Sequence, residues 1–361
     1  MVKEELVKLT EDLIGFKSTK GNPDEIRKCI DYVKNYFSSD DFIVKELENN
    51  GVVSLMITYT DTKKPKLLLN GHLDVVEGDE EQFTPTIDGD KLLGRGSSDM
   101  KGGLACLMLL MKTFAKEKPD MGLMVVSDEE IGGFNGTNYL VNQGFGGDFM
   151  IAAEPNKSDS PDTIDVTIKH KGVCWLKVIT KGKATHASLP WLGENAIEKL
   201  MAKYLEIKEM FEETTEDNRW KTTMNIGTIN SGKTPNQVPD KAEMIIDIRY
   251  TDDTDINKLV KKIKSLGDIK VEILEMSSLL NNDENDPMIK KFQKCSEKVS
   301  CNKTRLIKFH GSTDARFTSA KGMTSIVCGP FGKNLHGKGE YVSIKGMELY
   351  YKVMEEFVRS L

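Results

Sequence analysis

The sequence is sparing with the residues that most often advertise a function. Histidine occurs five times in 361 residues. Six cysteines, at 29, 106, 174, 295, 301 and 328, are scattered and form no C-x-x-C pair. That spacing excludes a disulfide framework and implies reduced, cytosolic thiols. No apolar run is long enough to span a membrane. The opening MVKEELVKLTEDLIGF has the period of an amphipathic helix and lacks the apolar centre of a signal peptide. Net charge is −6 with both signs interleaved, so there is no basic footprint for nucleic acid. Internal repeats and low-complexity segments are also missing. These absences leave a cytoplasmic protein with neither a membrane nor a nucleic-acid partner.

What is present is ordinary globular material, 39% apolar and 29% charged. The length favours two domains over one core. Asn22-Pro23-Asp24-Glu25 reads as a helix start, with Asn22 as the cap. VVSLMITY and PKLLLNGH read as strands, and GLACLMLLMKTFA as a helix buried all round. MGLMVVSD and DFMIAAEP are further buried strands. Strands alternating with helices predict an α/β fold whose mixed, largely parallel sheet lies between helices.

The pattern changes after residue 171. GVCWLKVITKG, ENAIEKLMAKYLEIKEMF, TTMNIGTI, KAEMIIDIRY, DINKLVKKIKSL and IKVEILEM read in order as β-α-β-β-α-β. That order is the ferredoxin-like split unit. The sequence therefore predicts a first domain over 1–171 and 279–361, interrupted by an α+β domain over 172–278. The helix PMIKKFQKCSEKV, the strand SIVCGP and the helix MELYYKVMEEFVRSL complete the first domain.

Ionisable residues cluster where the apolar strands stop. LLLNGHLDVVEG, from Leu67 to Gly78, delivers His72 and Asp74 just past a buried strand, two residues apart and so on one strand face. Asp99 lies in GRGSSDMKGG, Glu129 and Glu130 in SDEEIGG, Glu154 in IAAEPN and His336 in GPFGKNLHG. Each falls at the carboxyl end of a predicted strand or beyond it, the edge where open α/β sheets bind ligands. Taken singly each has a plain structural reading: a helix cap for Asp99, a solvated pair for the two glutamates, a turn residue for Glu154. Together, carboxylates converging on one edge repel one another unless a cation lies between them. Two histidines among them suit zinc or a similar divalent ion.

These segments, with GKATHASLPWLGENA, occur in the order and at the approximate spacing of one family. The chain resembles the zinc-dependent deacylases and metallopeptidases that include succinyl-diaminopimelate desuccinylase, acetylornithine deacetylase, aminoacylase and the glutamate carboxypeptidases. The resemblance covers nearly the whole chain. It implies two divalent ions, zinc first, with cobalt or manganese as alternatives. His72 and Glu154 would bind one ion, Glu130 and His336 the other, and Asp99 would bridge them. The resemblance also gives Asp74 the task of orienting His72, Glu129 that of general base, and His186 that of a helper from the lid domain. In many members that histidine reaches in from the partner, so a homodimer is expected. A cis peptide is expected at Asp99–Met100.

Substrate residues follow from the same resemblance. Asn236 lies thirteen residues before Arg249, the spacing of the asparagine and arginine that hold substrate in the family's desuccinylases. Arg316 in FHGSTDARF resembles a third. Pro235 departs from the second asparagine often found there. The resemblance implies amide hydrolysis of an N-acyl amino acid, with N-succinyl-diaminopimelate, and so lysine biosynthesis, as the first expectation. An acetylornithine deacetylase, an aminoacylase or a small dipeptidase is the alternative, and a non-catalytic amino-acid binder the more distant one. His170 and His310 have no metal role in this scheme.

Overall fold

The apolar runs of the sequence form the middle of one sheet. In the computed structural model, which describes residues 2–361, Leu67–His72, Met121–Val126 and Phe149–Ala152 are buried at every position. Strands covered on both faces have no polar alternation to show. They run parallel, with Leu67–His72 between the other two, and Thr324–Val327 extends the parallel set beyond Phe149–Ala152. Both flanks are antiparallel. Val52–Thr58 and then Ile43–Asn49 lie on one side, and Asp165–His170 on the other. The sheet is thus mixed and largely parallel.

The helices Val2–Ile14, Gly102–Thr113 and Ile344–Arg359 contribute Leu13, Leu107, Met347, Tyr350 and Phe357 to one core with the strands. Gly102–Thr113 is buried through Met111 and has no polar face. The helix Pro23–Tyr36 begins where expected, but Asn22 makes no side-chain cap bond. Its main-chain carbonyl instead accepts from Glu25 and Ile26, at 3.1 and 3.2 Å.

Among the elements not anticipated is the strand Ile43–Asn49. Its residues are only partly buried because it lies at the sheet's margin. The usable signal is Asn50-Gly51, whose φ values of 51° and 81° match the tight hairpin turn that pairs this strand with Val52–Thr58.

The chain divides into two compact units. One comprises the chain up to Lys169 with Asn282–Lys308 and Thr313–Leu361, and the other His170–Asn281 with Phe309–Ser312. The second unit carries an antiparallel sheet in the order Thr223–Ser231, Lys241–Tyr250, Gly172–Lys181, Ile269–Ser277. With the helices Ala196–Lys208 and Ile256–Lys264 this is the ferredoxin-like arrangement. Lys241–Tyr250 alternates buried and partly exposed positions, as expected of a strand with one face on a core. That core contains Leu176, Leu200, Ile246 and Ile263. No described helix in either unit is long and apolar enough to cross a membrane.

Candidate metal centre

Strand register brings the ionisable residues together. His72 pairs with Val126, and Asn70 with Ala152. Glu129 and Glu130 therefore start three residues beyond the end of one neighbouring strand, and Glu154 two residues beyond the end of the other. Neighbouring strands lie about 4.8 Å apart, so side chains leaving three adjacent strand ends can meet at one point. Asp99 reaches the same place from the segment before Gly102–Thr113, and its peptide bond to Met100 is cis. The Met100 sulfur accepts from the His72 amide at 3.2 Å. Gly103 lets this helix start lie flat on the chain, since a Cβ there would come within 2.1 Å of the Ala153 carbonyl oxygen.

The two oxygens of Asp99 face different histidines. Asp99 Oδ1 lies 3.3 Å from His72 Nε2, and Asp99 Oδ2 lies 3.4 Å from His336 Nε2. Glu154 Oε1 is 3.7 Å from His72 Nε2, and Glu130 Oε1 is 3.3 Å from His336 Nε2. The donors thus form two sets, each with one histidine and one glutamate, sharing one aspartate. Glu129 stands with His72 and Glu154, their ligand atoms all within 4.8 Å of one another. His72, Asp99, Glu130 and Glu154 are largely enclosed, while the His336 side chain is 52% exposed and marks the open side.

The electrostatics are those of a crowded anionic site. Burial and then the charge of Glu154 push the Glu129 carboxyl well above the usual range. Burial and then Asp99 do the same to Glu154. Burial also opposes ionisation of Asp99, but its contacts with His336 and His72 outweigh that and hold it low. Asp99 and Glu130 raise the His336 imidazole to about 10. Glu130 Oε1 is sealed from solvent, and His336 Nε2 stands beside it at 3.3 Å without a well-aligned hydrogen bond. Enclosed carboxylates converging on one point are costly unless a cation lies among them. Imidazole nitrogens with carboxylate oxygens also suit zinc and related divalent ions. The residues present fit a divalent metal.

The surroundings add main-chain partners to two expected residues. Asp74 was expected to orient His72 through its carboxylate. The nearer group is the Asp74 main-chain carbonyl, 2.9 Å from His72 Nδ1, with the carboxylate Oδ1 at 3.5 Å. The other carboxylate oxygen accepts from the Glu130 amide at 2.9 Å, so Asp74 also fixes the glutamate turn. Arg316 was expected at the substrate. It is buried, and Nη2 donates to the Gly132 carbonyl at 2.7 Å while the guanidinium lies 4.2 Å from the Phe317 ring. A guanidinium so enclosed braces the turn behind Glu129 and Glu130. Sequence reasoning also passed over Arg95 and Glu340, a buried ion pair beside the centre.

The remaining expected residues belong to the smaller unit. His186 is exposed, and its Nδ1 accepts from the Ser188 amide at 3.2 Å. That contact leaves the ring proton on Nε2. Asn236 is close by, its carbonyl accepting from the Ala187 amide at 2.9 Å. Arg249 is held in two bonds by Asp247, at 2.9 and 3.0 Å. It lines a cavity of about 410 Å³ with Lys171, Arg219 and His310. His310 also packs against the Trp220 ring, and His170 is buried with Nδ1 3.1 Å from the Lys171 carbonyl.

Known proteins resemble this chain in sequence and in fold. The family described as Peptidase family M20/M25/M40 matches residues 68–360. An uncharacterized metallohydrolase of Methanocaldococcus jannaschii is 27% identical over 98% of this chain and 99% of its own. A succinyl-diaminopimelate desuccinylase of Hahella chejuensis is 28% identical over 83% of each chain. Among solved structures, a tripeptidase of Staphylococcus aureus superposes with a TM-score of 0.79 at 20% identity, covering 99% of this chain and 98% of that one.

Proposed function

Because the chain belongs to peptidase family M20/M25/M40, a family of metal-dependent hydrolases, we propose that it is a di-zinc amidohydrolase cleaving the amide bond of an N-acyl amino acid, with N-succinyl-diaminopimelate the first substrate to test. The observation that carries the two-ion reading is the division of Asp99, one carboxylate oxygen facing each histidine. His72, Asp99 and Glu154 hold one ion, and His336, Asp99 and Glu130 the other. Bound divalent ions supply Lewis acidity, making a water more acidic and an amide carbonyl more electrophilic.

Glu129 carries the proton. Standing with His72 and Glu154, it is placed to take a proton from the attacking water and return it to the leaving nitrogen. His186 offers Nε2–H to the oxygen that gains charge, a role we assign to the partner's copy in a homodimer. Exposed apolar side chains of the smaller unit, Met201, Leu205 and Ile229, support such pairing. Asn236 and Arg249 hold the carboxylate or acyl end of the substrate, Arg249 because a guanidinium matches a carboxylate bidentately. Arg316 stays a candidate for the same end of the substrate, since the Gly132 carbonyl takes only its Nη2. The unpaired, mostly buried thiols support a cytosolic setting.

The desuccinylase relative favours the succinyl compound, and the fold likeness to a tripeptidase keeps short peptides as the second reading. A panel of N-succinyl, N-acetyl and di- or tripeptide substrates, assayed with zinc and with cobalt, separates them. The succinyl compound is expected to have the highest kcat/KM. A higher value for any other class would replace it. Monomers of full activity in a size measurement would overturn the role given to the partner's histidine.

A further inference from the structure

We propose that Arg95 and Glu340 are positioning residues that lock the loop carrying Asp99 to the loop carrying His336. The inference rests on the metal centre proposed above. Glu340 and Arg95 are 2% and 3% exposed. One Glu340 oxygen, Oε1, accepts from two successive amides, those of Ser98 and Asp99, each at 3.1 Å. The other, Oε2, accepts from Arg95 Nη1 at 2.5 Å. Arg95 Nη2 then donates to the His336 carbonyl at 3.1 Å and to that of Glu77 at 3.4 Å. One carboxylate and one guanidinium thus join the peptide of the shared aspartate to the peptide of the exposed histidine.

The arrangement answers two needs. Asp99 must present one oxygen to each histidine, which requires its main chain to be fixed. His336 sits at φ 61°, a left-handed conformation that few residues other than glycine adopt unaided. Its carbonyl is held by Arg95, so that conformation has an external support. Stability alone is a poor explanation for the pair. Replacing both partners of a buried ion pair with apolar residues is often neutral or stabilising. What an apolar pair cannot do is accept from the Asp99 amide and donate to the His336 carbonyl.

The test uses metal-stripped full-length protein titrated with Co²⁺, followed by calorimetry and by the visible absorption of the bound ion. The variants are Glu340→Gln, Arg95→Lys and the double apolar replacement R95M/E340L, with folding checked by circular dichroism. All three are expected to fold without metal and to bind Co²⁺ roughly 10–100-fold more weakly than the wild type, with an altered absorption spectrum. Recovery of wild-type affinity and spectrum in the double variant would overturn the proposal, because it would reduce the pair to a packing element. Unchanged affinity in the single variants would overturn it as well. So would a stripped wild type that folds while every stripped variant fails to, since the pair would then hold the fold and not the ligands. If the wild type itself takes up no Co²⁺, the metal-centre reading fails, and this inference with it.

Discussion

Glu129→Gln tests the proton-carrying role proposed for that residue apart from the metal ligands proposed around it. Gln keeps the size and hydrogen-bonding reach of the side chain but accepts no proton at neutral pH. A positioned general base contributes about 10²–10⁴-fold to rate, or roughly 3–5 kcal/mol at about 1.36 kcal/mol per decade. The variant should lose kcat by that factor and bind metal within about tenfold of the wild type, because His72, Asp99, Glu130, Glu154 and His336 are untouched. A second consequence follows from the crowding. The Glu129 carboxyl is raised above its ordinary 4.5 by burial and by Glu154. In metal-free protein the folded state therefore holds this proton more tightly than the unfolded chain, and stability falls as pH rises above about 4.5. Gln removes that loss. Urea unfolding in chelator should show E129Q more stable than wild type at pH 8 and equal to it at pH 4. Activity within tenfold of wild type, or a variant less stable than wild type at pH 8, would refute the reasoning.

The other predictions concern packing, charge and thiols. Gly103→Ala puts a Cβ against the Ala153 carbonyl; it should displace Glu154 and weaken metal uptake in a zinc titration, whereas an unchanged titration would show that the helix start is not what places Glu154. His336 pairs with Asp99 and Glu130, so in metal-free protein its contribution to stability is complete below about pH 6.5 and fades as pH rises through about 10. His336→Asn should flatten that decline in urea unfolding between pH 6.5 and 10. Cys301 alone among the six cysteines is exposed, while burial pushes the Cys29 and Cys174 thiols up to about 11. Ellman's reagent should therefore find one fast thiol in the folded protein and six after denaturation, and two or more fast thiols would contradict the burial.

Much of the centre was legible because parallel strands advertise their ends. An unbroken apolar run that stops at an ionisable residue, as LLLNG stops at His72, marks the edge where neighbouring strands converge. His72, Glu129, Glu130 and Glu154 lie at or just past such ends, and register explains why they meet; Asp99, before a helix, and His336, in a loop, take their expected metal roles from the family resemblance. What escaped notice was whatever depended on a distant main-chain partner. Arg316 looks like a carboxylate clamp by its chemistry, but that its Nη2 also engages Gly132, 184 residues away, was not readable. Arg95 and Glu340 are 245 residues apart and belong to no periodic pattern, so only the folded chain reveals them as a pair. Asp74 shows the same limit on a smaller scale. Its position beside His72 was readable, but the share of its main-chain carbonyl was not. The marginal strand Ile43–Asn49 was lost because partial burial blurs the apolar signal, although the Asn50-Gly51 turn was there to be read.

The central claim is that five residues form a two-ion centre on which hydrolysis depends. Equilibrium dialysis of chelator-stripped protein against zinc, with amidase activity measured on the same samples, tests it most directly. The account predicts uptake approaching two ions per chain and activity that rises with uptake and disappears on stripping. Stripped protein that binds no zinc, or that hydrolyses its substrate at the full rate without it, would contradict the account.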